Sequence, residues 1–235
     1  MDNKRNIITF DNYYQFNNFI KDKGLLEKIG EGSEGICYLS STEQKAYKIL
    51  YETFKKQIIE MYTPSQIITT KDIELKHFYL PEELYTMKQQ LLGYKTKYLP
   101  TDLFDFDKRN GNPTNLYRIN FDKLIKAYYR MLKEIEKLSK EKIQIYDLSH
   151  NLIFTGANLI GIDTCGYERN NSKSIHGMSL LEFNTCKLDD AIREVFSSWI
   201  INSNNLSIED IYELNEEENT EKYLKKLKKQ IKQSR

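Results

Sequence analysis

Apolar residues recur every three to four positions across residues 121–142, at Leu124, Ala127, Tyr128, Met131, Leu132, Ile135 and Leu138, which predicts a long amphipathic helix with one buried stripe. Residues 189–201 carry the same period through Ala191, Ile192, Val195, Phe196, Trp199 and Ile200 and predict a second core helix. Shorter helices are predicted over 207–214 and 220–232, separated by Glu216-Glu217-Glu218. The first hundred residues read differently. Ile36-Cys37-Tyr38-Leu39 and Ala46-Tyr47-Lys48-Ile49-Leu50 are short apolar runs joined by a polar turn at 40–45, and residues 79–87 and 91–100 form two more around Lys88-Gln89-Gln90. Such runs predict antiparallel strands, five in all when the run before Gly30 is included. A helix is predicted over 54–61, where Phe54, Ile58, Ile59 and Met61 precede the breaker Pro64, with 71–78 as a rival helical stretch. Farther on, the apolar runs of 145–154 and 159–163 flank Thr155-Gly156-Ala157-Asn158 and predict a β-hairpin. The expected class is α+β, with strands first and helices after.

With 235 residues the chain is long enough for one large domain or for two small lobes sharing a cleft. A formal net charge of +1 supplies no broad field for a polyanion, so nucleic acid is not an expected partner. No apolar run approaches the roughly 18 residues of a membrane span, and the start, Met1-Asp2-Asn3-Lys4-Arg5-Asn6, is too polar for a signal peptide. Cys37, Cys165 and Cys186 are odd in number and widely spaced, which suits neither a disulfide framework nor a zinc site and points to a reducing cytoplasm. In the last helix, Lys222, Lys225, Lys226, Lys228, Lys229 and Lys232 leave Tyr223, Leu224, Leu227 and Ile231 as a thin apolar stripe. It reads as a docked helix with a solvated face, the alternative being a contact with anionic lipid or nucleic acid.

The candidate chemistry lies in two constellations. The first is the glycine-rich turn Gly30-Glu31-Gly32-Ser33-Glu34-Gly35, set between strands and followed by a lysine, Lys48, inside an apolar strand. Glycines at this spacing allow positive φ and close approach to a polyphosphate, and a lysine in such a strand requires a counter-charge. A dinucleotide fingerprint would need its glycines to open a helix, and no helix follows here. The second is Ile145-Tyr146-Asp147-Leu148-Ser149-His150-Asn151, with Asp163 ending the second hairpin strand. A carboxylate able to accept a hydroxyl proton, beside an Asn and an Asp able to hold hard cations, suits phosphoryl transfer.

Taken together, Gly30 to Cys37 and Ala46-Tyr47-Lys48-Ile49 resemble the G-x-G-x-x-G-x-V and V-A-I-K elements of the protein kinase-like superfamily, with Cys37 in place of the valine. The resemblance extends to the catalytic loop and the metal-binding Asp, covers residues 25–163, and is similar in look to small kinase-like proteins of AT-rich Gram-positive bacteria and their phages. Departures are plain: Asp147 and Asn151 are four apart where the family has five, Ile145 and Tyr146 replace His-Arg, Asp163-Thr164-Cys165-Gly166 replaces D-F-G, and no A-P-E is present.

The resemblance implies a bilobal fold: an N-terminal extension over 1–24, an N-lobe over 25–100 with a five-stranded antiparallel sheet and one helix, and a helical C-lobe over 101–235 around the catalytic hairpin. It implies ATP and magnesium as cofactors and a protein serine/threonine kinase-like transfer of phosphate to a hydroxyl on an unidentified protein or small molecule. Asp147 would be the base and Lys48 the phosphate-binding lysine. Asn151 and Asp163 would hold magnesium. Gly30, Glu31, Gly32, Ser33, Gly35, Cys37 and Ala46 would line the nucleotide, Thr96 would be the gatekeeper, and Lys97, Tyr98 and Leu99 would meet the adenine edge. Glu60 is the expected partner of Lys48, with Glu74 as the rival. Two alternatives stay open: a pseudokinase serving as a nucleotide-binding or interaction module, and a small-molecule kinase of the aminoglycoside or choline phosphotransferase type. His150 reads as a loop histidine bonding a carbonyl, and Cys165 as a packing residue.

Overall fold

The computed structural model describes residues 6–52, 63–100, 119–149, 151–172, 174–202 and 206–233. Among them it is an α+β protein with a mixed six-stranded sheet and five helices, divided into two compact units: Met1–Thr101 with Asp163–Arg169, and Asp102–Ile162 with Asn170–Arg235.

In the first unit the strands are β1 (Ile7–Thr9), β2 (Leu25–Glu31), β3 (Gly35–Ser40), β4 (Lys45–Leu50), β5 (Glu83–Met87) and β6 (Gln90–Lys97), in the order β1-β5-β6-β4-β3-β2. The expected five antiparallel strands are present, but the sheet has a sixth. β1 pairs parallel with β5, Ile7 opposite Leu84 and Thr9 opposite Thr86. Residues 6–24 thus contribute a strand to this sheet. They also supply helix α1 (Tyr13–Asp22), capped by the Asn12 side chain, which accepts from the Gln15 amide at 3.0 Å, and stopped where Gly24 turns to φ +61°.

The side-chain alternation of β4 separates two faces. Tyr47 and Ile49 join Tyr85, Met87 and Leu92 on a face covered by Phe10, Phe16 and Phe19. Leu50 lies in another cluster with Leu84, Leu91, Tyr94 and Cys165. Lys48, between Tyr47 and Ile49 in the chain, is carried on that second face. The hairpin joining β5 to β6 turns at Lys88 and Gln89, both at positive φ (+49° and +68°), the backbone of a tight two-residue turn built without glycine.

The rival helix over 71–78 does not form: these residues are turn and irregular backbone, pinned where Thr69 N and Oγ1 donate to Asp72 Oδ2. The predicted helix over 54–61 lies outside the described residues.

The second unit is built on α2 (Phe121–Lys140), whose Leu124, Ala127, Tyr128, Met131, Ile135 and Leu138 are all buried as the apolar period requires. It is followed by β7 (Ile143–Gln144), the hairpin β8 (Leu152–Phe154) and β9 (Leu159–Gly161), then α3 (Leu180–Asn202), α4 (Ile208–Asn215) and α5 (Thr220–Gln233). The hairpin pairs Ile153 with Ile160, and its turn closes where Thr155 N donates to Asn158 O at 2.8 Å. Phe196 on α3 packs on Phe121 (ring centroids 5.8 Å apart) and on Tyr223 of α5 (6.5 Å). α5 buries Tyr223, Leu224, Leu227 and Ile231, and acidic groups face its lysines: Glu221 pairs with Lys225, Glu217 with Lys226 and Asp122 with Lys228. Among the described residues, no helix is long and apolar enough to cross a membrane.

Candidate functional site

Lys48 is 5% exposed in the middle of β4, with Cys37 of β3 opposite on one side and Tyr94 of β6 on the other. An unpaired ammonium in that position would be prohibitively costly. Its Nζ donates to two carboxylates, Glu34 at the β2–β3 turn and Asp163, 115 residues farther along the chain. Burial by itself would lower the pKa of Lys48, but the negative charge of Asp163, with Glu34 contributing, outweighs it and holds the lysine cationic. Asp163 is fixed twice over. Its backbone is left-handed (φ +53°, ψ +48°), a conformation Asp tolerates better than most residues, and its Oδ1 accepts from the Tyr94 hydroxyl at 2.5 Å. The following Thr164 is fully buried and donates from Oγ1 to Tyr79 O at 3.0 Å, while Cys165 packs in the core as expected.

The glycine-rich turn is shaped differently from the expectation. None of Gly30, Gly32 or Gly35 takes a positive φ. Gly35 is required for packing, because a Cβ there would stand 2.2 Å from Ile49 O and 2.9 Å from Leu50 Cα. Gly32 has nothing within 4 Å of a Cβ, and the nearest atom to one on Gly30 is Cys37 Cβ at 3.9 Å. Ser33 is exposed, and Glu31 accepts from Lys28 and from the Tyr51 hydroxyl. Ala46 pairs with Thr96, whose hydroxyl lies 3.1 Å from the carbonyls of both Tyr79 and Leu80, so the expected gatekeeper ties down the chain before β5. Lys97 ends β6 with its ammonium 5.6 Å from the Tyr79 ring centroid, and Tyr98 and Leu99 follow in irregular, half-buried backbone. Glu60 lies outside the described residues. Glu74 is exposed and on no helix, so it is not the helical partner expected for Lys48.

In the second unit Asp147 is exposed and left-handed (φ +44°), and Asn151 Nδ2 donates to its backbone carbonyl at 2.8 Å. That bond, with Asn151 N donating to Leu148 O at 3.0 Å, closes the four-residue spacing into a turn. Asn151 O in turn accepts from Ile162 N at 2.8 Å, joining the loop to the hairpin. His150 lies outside the described residues.

Three contributors were not foreseen. Glu34 lies inside the glycine-rich turn, but only the ion pair in the folded protein shows that its carboxylate comes to the lysine. Tyr94 is brought to Lys48 by β6 pairing with β4, strands far apart in sequence. Asn184 on α3 is fully buried; it accepts from Ile145 N at 2.9 Å and donates to Ile143 O at 2.9 Å, gripping the chain just before Asp147. A lone polar residue in an apolar helical stripe was the available signal.

Glu34, Asp163 and Cys165 each place one donor atom within 4.8 Å of the others. Magnesium takes hard oxygen donors. The two carboxylates fit that demand, and the Cys165 thiol, pushed up to about 12 chiefly by burial, does not. Burial likewise pushes the Cys37 thiol up to about 11, while Cys186 is exposed. A disulfide reagent at about pH 8 is accordingly expected to label the exposed Cys186 first, the half-buried Cys37 more slowly and the buried Cys165 last, which mass mapping of the labelled sites checks.

No protein-family model matches the chain, and no curated protein shows significant similarity to it.

Proposed function

We propose that this chain is an ATP- and magnesium-dependent phosphotransferase of protein kinase-like type, transferring phosphate to a hydroxyl. The observation that carries the reading is the ion pair of the buried Lys48 with Asp163. The proposal gives Lys48 the phosphates, Asp147 the hydroxyl proton, and Asn151 and Asp163 the cation, following the order of these residues along the chain. Magnesium, when bound, would neutralise charge on the phosphates. Support for the division of labour comes from each residue's chemistry. Lys48 stays cationic in a buried setting. Asn151 donates its amide hydrogen to Asp147 O, which leaves its carbonyl oxygen as the side-chain acceptor. Asp147 is exposed, as a base that must meet an acceptor requires.

The test is isothermal titration of the full chain with ATP, with and without magnesium, followed by transfer of labelled phosphate. Lys48→Met and Asp163→Asn are expected to abolish magnesium-dependent binding, and Asp147→Asn to retain binding but lose transfer by about a thousandfold. Each Asp163 oxygen accepts one hydrogen bond, from Lys48 and from Tyr94, and keeps a lone pair for a cation; in the pseudokinase reading that capacity goes unused. Binding that is indifferent to magnesium, with no transfer, would decide for it.

A further inference from the structure

We infer that Glu34 is a counter-charge that the phosphates of a nucleotide must displace from Lys48, so that this residue sets the affinity and charge preference of the site. The inference rests on the nucleotide reading given above. With no cation bound, Lys48 carries one positive charge against two carboxylates, which leaves the cluster net negative. A phosphate approaching the lysine meets that negative charge first, and like charges a few ångströms apart repel.

The two carboxylates are not equally removable. Asp163 is anchored a second time by Tyr94 and sits in a constrained left-handed backbone. Among the described residues Glu34 has no such second anchor, and its side chain is 32% exposed against 7% for that of Lys48. The Glu34 backbone stays put, since Gly32 N donates to Gly35 O at 3.0 Å and Tyr51 N to Glu34 O at 2.9 Å. Displacement therefore needs only rotation of one flexible side chain into water, without opening the turn. The neighbouring acid, Glu31, is already committed to Lys28 and Tyr51, so Glu34 is the turn's carboxylate that contends for Lys48.

This contest penalises a ligand in proportion to the phosphate charge it brings to Lys48 and leaves an uncharged nucleoside untouched. Titration calorimetry of the full chain with magnesium-ATP and with adenosine, on wild type, Glu34→Gln, Glu34→Ala and Lys48→Met, tests it. Both Glu34 variants are expected to bind ATP at least about tenfold more tightly than wild type while adenosine affinity stays within about twofold. Unchanged or weaker ATP binding in both variants, or an equal gain for adenosine, overturns the inference. If wild-type ATP binding is still lost in Lys48→Met, the nucleotide site survives that result. Absence of ATP binding in wild type and Glu34 variants alike, with native circular dichroism, removes both readings together.

Discussion

Replacing Gly35 by Ala is expected to lower unfolding free energy by about 3 kcal/mol, whereas Gly32→Ala stays within about 0.5 kcal/mol of wild type. The two glycines stand three apart in one turn, and the difference is steric. A methyl at position 35 would meet the backbone of β4, 2.2 Å from Ile49 O and 2.9 Å from Ile49 C. A strand cannot give way there as a side-chain tip could, because Ile49 is also paired with Gly93 of β6. Position 32 opens onto free space without a left-handed φ, so Ala fits both the room and the backbone. Urea denaturation of both variants checks the difference. Measured ATP affinity then separates packing from ligand approach: if Gly32 serves the nucleotide, Gly32→Ala weakens binding in a protein of native stability.

The second large effect is at Phe16. Truncation to Ala is expected to cost about 3–5 kcal/mol, a large share of the total stability of a domain, and to lower the melting temperature by about 10 °C. Phe16 is 3% exposed, with Phe10 at 5.3 Å and Tyr85 at 6.4 Å between ring centroids. Tyr85 also stacks on Tyr47 at 6.0 Å, the residue just before Lys48. α1 therefore covers the back of the strand that carries the lysine. Removal of residues 1–24 would strip away β1 and this aromatic layer together, and the shortened chain is expected to lose its cooperative melting transition. A calorimetric melt like that of the full chain would show that α1 is dispensable.

Local signals accounted for much of the architecture. The three-to-four-residue period of α2 survives intact because that helix packs along one side, which is a local property of the sequence. The strands β3 and β4, the β5–β6 turn and the β8–β9 hairpin were legible for the same reason: adjacent runs pair with each other. The apolar period predicts a helix from residue 189, but α3 begins at Leu180, because Asn184, a polar residue in the buried stripe, interrupts the pattern while it holds the backbone before Asp147. β1 leaves no local signal, because three residues carry little periodicity and their partner strand lies far along the chain.

By itself the amino-acid order determined the α+β class, the strand location of Lys48 and the hairpin that leads to Asp163, since each depends on neighbours within a few residues. Only the tertiary structure decided what those side chains meet. It brings Lys48 to Glu34 and Asp163, sets Tyr94 against Asp163, and gives Gly35 a packing duty, because register between distant strands follows from burying whole faces at once. A buried ammonium must be neutralised by whatever carboxylates the fold delivers, and that choice is written in no single stretch of the chain.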